Sequence, residues 1–114
     1  MSHLSILPTV LRDADTLSDC LTSLGLTPQR GGELHGFADE RQAVLLQVQL
    51  ADGGQLGWAR QADGSLAVVG DLQRLSRSRS LQQLLGRITR AYAARQALRE
   101  AAATLPDAVI EVGA

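Results

Sequence analysis

At Asp71 the apolar period of this chain changes from two residues to about 3.6, dividing it into a sheet-forming part and a helical part. Before that point Val44, Leu46, Val48 and Leu50 face one way while Gln47 and Gln49 face the other, as a half-buried strand requires. Asp52-Gly53-Gly54 and Ala62-Asp63-Gly64-Ser65 are turn sequences. They are so short that strands over 43–50, 55–60 and 66–69 can only run antiparallel. After Asp71, Leu81, Leu84, Leu85, Ile88, Tyr92, Leu98 and Leu105 recur at helical spacing. Ser80 is the expected N-cap of this long helix, which runs to about Thr104, and Pro106 lies just past its end.

Further elements flank this frame. Ser2 to Val10 alternates, with Leu4, Ile6 and Val10 on one side and His3, Ser5, Leu7 and Thr9 on the other. Pro8 lacks a ladder donor and assigns that strand to an edge or a bulge. Asp13 or Asp15 caps a helix whose apolar face is Leu17, Cys20, Leu21 and Leu24, and Gly25 stops it. Between Thr27 and Gln42 the signals conflict: Pro28, Gly31, Gly32 and Gly36 indicate turns, while Glu33 to Phe37 has the look of a short strand. Ala108 to Val112 reads as a last short strand. The expected architecture is α+β: a two-layer sandwich, a mostly antiparallel sheet of four to five strands with two helices on one face, in the order β-α-β-β-β-(β)-α-β. With 114 residues, a single domain over 1–114 is expected. Twenty leucines against 3% aromatic residues make its core aliphatic.

Charge narrows the function classes. Residues 1–71 carry four Arg and nine acids, residues 72–99 carry seven Arg and no acid, and the last fifteen residues carry three acids. The net charge of −1 thus hides a basic second helix on an acidic body. Every basic side chain is Arg, which makes the better planar, bidentate contacts to carboxylate and phosphate. No apolar run approaches the ~20 residues of a membrane span. The N-terminal residues lack the pattern of a secretory signal, so a cytoplasmic protein is expected. Cys20 is the single cysteine, so no intramolecular disulfide forms.

The opening Met1-Ser2-His3-Leu4-Ser5, a helix closing on Leu24-Gly25, the stretch from Leu56-Gly57-Trp58 to Asp63-Gly64-Ser65-Leu66-Ala67-Val68-Val69, Asp71, and Tyr92-Ala93 occur in an order that resembles the Ycf-thirty-five family of plastid and cyanobacterial genomes, a domain of unknown function. The likeness covers nearly the whole chain. It departs at Leu4, where that family usually has Phe, at Leu72, where tryptophan is common, and at Arg95, where histidine is frequent. What the resemblance implies is a small cytoplasmic accessory protein; it brings no established activity.

Candidate chemistry is sparse. His3 with Ser5 is a possible second site, for a metal or acid–base work near neutral pH, although capping of a sheet edge explains the pair as well. His3, His35 and Cys20 have no ligand spacing, so neither a metal site nor a cofactor is expected. Cys20 lies within an apolar helix face and reads as a small hydrophobe. Asp39-Glu40 reads as a solvated turn, and no nucleophile elbow, P-loop or dinucleotide fingerprint is present, so the chain is not expected to be an enzyme. The informative segment is the Arg-bearing helix. By helical projection Arg87 and Arg90 lie on its flank or back, whereas Arg95 falls within the apolar stripe and Arg99 at its edge, where a cation needs a carboxylate, a partner or water. The expected function is that of an accessory protein binding a protein partner or a second copy through Arg87, Arg90, Tyr92, Arg95 and Arg99. Nucleic-acid binding by the same Arg segment is the alternative, and a small-molecule or metal-binding role using His3 comes third.

Overall fold

The computed structural model describes residues 4–36, 38–51 and 54–104, the side chains of Leu72 and Thr104 excepted. The elements in chain order are β1 (Ser5–Pro8), α1 (Ala14–Ser23), β2 (Gln29–Arg30), β3 (Glu33–His35), β4 (Arg41–Ala43), β5 (Leu46–Gln49), β6 (Gln55–Arg60), β7 (Leu66–Gly70), α2 (Leu72–Arg77) and α3 (Arg79–Thr104). Five strands form one antiparallel sheet in the order β1-β7-β6-β5-β2, and β3 pairs with β4 in a separate ladder. The fold is α+β, with β5, β6 and β7 as the central meander. His3, the Asp52-Gly53 part of the first turn, and the strand expected over 108–112 lie outside the described residues.

The two faces of the sheet are covered differently. Leu46, Val48, Leu56, Trp58, Leu66 and Val68 point to the helices and pack with Leu17, Cys20 and Leu21 of α1 and Leu81, Ile88 and Tyr92 of α3. Each such aliphatic side chain contributes about 1.5–3 kcal/mol by leaving water. On the opposite face Ala59 and Val69 form a smaller cluster with Leu34 and Val44, against which Leu4 packs. Gly57 lets these layers approach, because a Cβ there would lie 2.7 Å from Val44 Cγ1 and 2.9 Å from Leu34 Cδ1.

Three local expectations need correction. Val44 and Leu46 were expected on one face of a continuous strand, yet they lie in opposite clusters. Leu46 pairs with Trp58, and the N–H of Leu45 also donates to the Trp58 carbonyl at 2.8 Å, so two residues oppose one. That bulge reverses the alternation. Ile6 and Val10, expected on the same side of the first strand as Leu4, are 46% and 83% exposed, and Val10 lies past the end of β1. Ile6 sits opposite Val69 on an edge strand, which has a neighbouring strand on one side only. Finally, the chain after Asp71 forms two helices rather than one. Asp71 caps α2 by accepting from the N–H groups of Gln73 and Arg74. Ser78, not Ser80, then serves α3: its Oγ accepts from Leu81 N–H at 3.2 Å.

Other expectations agree with the structure. Asp13 is the N-cap of α1, accepting from the N–H groups of Asp15 and Thr16. Pro8 lies on the edge strand β1. The second turn closes through Gln61 N–H to Ser65 O at 2.7 Å, with Gly64 at φ +87°. Glu33–His35 is indeed a short strand.

Candidate functional site

Helix α3 has 26 residues and is about 39 Å long. Up to Tyr92 it is held by apolar burial of Leu81, Ile88 and Tyr92, with Leu84, Leu85 and Ala91 partly buried against the same core. Past Tyr92 no apolar side chain among the described residues is fully buried, and Leu98 is 47% exposed. There α3 meets α1 through polar contacts. The Thr16 hydroxyl donates to Gln96 Oε1 at 3.4 Å, and the Arg99 guanidinium reaches Asp13 Oδ2 at 3.1 Å and Asp19 Oδ2 at 4.0 Å.

The expected contact residues therefore separate into two groups. Tyr92 is buried, and its hydroxyl accepts from the backbone N–H groups of Arg12 and Asp13, so it ties the start of α1 to α3 beneath the surface. Arg99 is neutralised within the chain by the α1 carboxylates. Arg87, Arg90 and Arg95 are exposed, and among the described residues none of the three has an ion pair. Arg90 folds back over Gly86, where an added Cβ would meet its Nη1 at 3.2 Å. At about 100° per residue Leu98 projects close to Arg87, which places an exposed apolar side chain on the Arg-bearing face.

Among the described residues Arg95 meets no carboxylate of the sheet. The residue is exposed, and its guanidinium lies beside the buried Cys20 thiol. Burial pushes that thiol above its ordinary pKa, while the Arg95 charge pulls the other way without prevailing. Cys20 is consequently held as an unreactive thiol. Asp13 is shifted oppositely: the N–H of Thr16 chiefly, with those of Asp15 and the Arg99 charge, holds its carboxyl below the usual range against a smaller cost of burial.

Ser5 begins β1 opposite Gly70, and His3 lies outside the described residues. Among the described residues no three His, Cys, Asp or Glu side chains cluster as a metal would require, and no helix is long and apolar enough to cross a membrane. Trp58 is fully buried in β6, and among the described residues its Nε1 has no hydrogen-bond partner. The available signal was a lone tryptophan between Gly57 and Ala59 in a strand poor in other polar groups.

Among known families, a model described as a protein of unknown function (DUF1257) matches residues 20–105, which spans β2 to α3 together with the end of α1. No curated protein and no solved structure matches this chain.

Proposed function

The chain belongs to the DUF1257 family of proteins of unknown function, and we propose that it acts by binding another protein through the outer face of α3. The observation that carries this reading is the surface left on that helix: Arg87, Arg90 and Arg95 are exposed without ion pairs among the described residues, and Leu98, in the turn after Arg95, is exposed as well. Guanidinium groups about an apolar side chain are a composition favoured at interfaces. The fitting partner surface is acidic, with a small apolar recess for Leu98. Identification with the Ycf-thirty-five family, an accessory role, residence in the cytoplasm and self-association belong to the same proposal. The body of the chain is acidic, so a second copy satisfies the charge requirement too.

The test is the triple charge reversal Arg87→Glu, Arg90→Glu, Arg95→Glu. None of these side chains is buried, so circular dichroism and the melting temperature of the variant are expected to match wild type within a few degrees. Wild-type protein is expected to self-associate in sedimentation velocity, or to retain a defined protein from extracts of the native organism, and the variant to do neither. A wild-type chain that stays monomeric at all concentrations and retains no protein refutes the proposal. Retention of nucleic acid with affinity falling linearly in log salt transfers the Arg face to the competing class.

A further inference from the structure

A cavity of about 220 Å³ lies at the end of the sheet where β6 begins and β7 gives way to α2. It opens between the two apolar clusters. Leu34 reaches it from the smaller one and Leu56 and Leu81 from the main one, with Leu4 and Leu50 completing an aliphatic wall. Asp71 and Arg74 supply a charged wall, and both also border the open depression beside it. Among the described residues no other carboxylate or guanidinium lines the cavity. His35 and Gln55 line it too and are exposed, so its polar side is open to solvent. Asp71 and Arg74 adjoin each other, for Asp71 Oδ1 accepts from the N–H groups of Gln73 at 3.0 Å and Arg74 at 3.3 Å. That cap occupies one carboxylate oxygen, and among the described residues Oδ2 makes no contact. Arg74 has a further contact within the chain, yet its planar fork carries five N–H donors, more than one contact takes up.

We propose that this cavity binds an aliphatic α-amino acid, with its ammonium on Asp71, its carboxylate on the Arg74 guanidinium and its side chain among the leucines. The charged wall selects for both charges at once. A lone carboxylate meets Arg74 but lies beside Asp71, and a lone amine meets Asp71 but lies beside Arg74; a zwitterion sets each charge against its opposite. The two charges of an α-amino acid are held on one carbon, and the two residues that receive them already touch. A guanidinium suits the carboxylate because it takes both oxygens in one plane. The leucine wall then decides the side chain: an aliphatic group gains by leaving water there, whereas a polar one loses its hydrogen bonds. Size agrees, since the volume lies below the ~300–1,000 Å³ of sites for drug-sized ligands and suits a single amino acid. The site takes only the first turn of α3 and stands apart from the Arg face proposed for protein binding.

Leucine, isocaproate and isoamylamine are the probes: one aliphatic skeleton carrying both charges, the acid alone or the amine alone. Each is titrated into the intact protein and followed in nitrogen–proton correlation spectra. Leucine is expected to shift the amide cross-peaks of Leu56 and Arg74 in a saturable manner, and the other two to bind at least about tenfold more weakly, each for want of one charged partner. Asp71→Asn removes the charge but keeps a residue that caps α2 equally well, and Arg74→Gln keeps the backbone N–H that Asp71 accepts. Both variants are expected to retain a cooperative melt and to lose at least about tenfold in affinity for leucine. Should leucine give no saturable shift, should the acid or the amine bind as tightly as leucine, or should either variant bind leucine as wild type does, the proposal is overturned.

Discussion

Replacing Tyr92 by Phe removes a single oxygen and leaves the ring in the core. That oxygen accepts two backbone N–H groups, from Arg12 at 3.1 Å and Asp13 at 2.8 Å, which lie 80 and 79 residues away and immediately precede α1. A hydrogen bond contributes about 0.5–1.5 kcal/mol net, so losing the pair costs about 1–3 kcal/mol. Arg12 is exposed and Asp13 half-buried, so water reaches the released amides in part, and the expected loss sits near the middle, about 2 kcal/mol. Ring burial is retained, so no large cavity is added. For a chain of this length about 1 kcal/mol moves the melting temperature by about 4 °C, which puts the expected drop for Tyr92→Phe at about 8 °C. Thermal unfolding followed by circular dichroism measures it. Urea unfolding should show a lower midpoint with an unchanged slope, because the exposed area on unfolding is the same. Hydrogen exchange should show faster exchange at the amides of Arg12 and Asp13. A melting temperature within about 2 °C of wild type would refute the reasoning, for it would mean that solvent replaces the phenol at no cost and that this contact does not fasten α1 to α3.

Two further outcomes follow from the same geometry. Asp13→Ala removes the cap of α1 and the partner of Arg99, with an expected loss of about 1 kcal/mol at neutral pH in urea unfolding. Because the folded pKa of Asp13 is depressed, its contribution is complete above the unfolded value of about 3.9 and is lost as pH falls through the folded value; the gap between wild type and variant should therefore narrow as the pH falls below the unfolded value. An acid-independent gap would contradict this assignment. Gly57→Ala places a methyl 2.7 Å from Val44 Cγ1 and 2.9 Å from Leu34 Cδ1, and Val44, being β-branched, has little room to turn. A loss of about 1–3 kcal/mol is expected, and a variant as stable as wild type would show that the β3–β4 ladder shifts without cost.

Most of the frame was legible because it depends on local chemistry. The period change at Asp71, the cap at Asp13 and the missing amide of Pro8 each act within a few residues, and each element they define is present. What was not legible depends on partners distant in sequence. Val44, Leu45 and Leu46 are all apolar, so a sequence offers no sign of which residue bulges; the choice is made by the register against Trp58. Between Asp71 and Ser80 the sequence showed no break in the helical pattern, and the division into two helices is seen only in the caps that Asp71 and Ser78 supply. Ile6 alternates as a core residue should, yet an edge strand beside a small cluster leaves it uncovered. Of the expected contact residues, the wheel projection placed Tyr92 and Arg95 on one stripe. It could not show that the stripe passes from sheet to α1 between them, which buries the first and leaves the second in water.

That passage from sheet to α1 divides the helix into two halves held by different means. Up to Tyr92 the residues of α3 are ordered by apolar burial. Beyond Tyr92 the contacts to α1 include an exposed ion pair, which contributes about 0–1 kcal/mol, too little to order three turns by itself. The sequence compensates with helix propensity: Ala93, Ala94, Ala97, Ala101, Ala102 and Ala103 keep the backbone helical where packing does not demand it. A rod maintained by its own composition, carrying Arg95 and Leu98 outward, presents these side chains at fixed spacing before any partner arrives, and so lowers the ordering cost of association. Because its helicity does not draw on the core, charge reversal on that face leaves the packing of the half before Tyr92 in place. A core substitution before Tyr92 that altered binding at the Arg face while the fold persisted would mean that α3 moves as a single lever about Tyr92, and the division argued from burial would then be wrong.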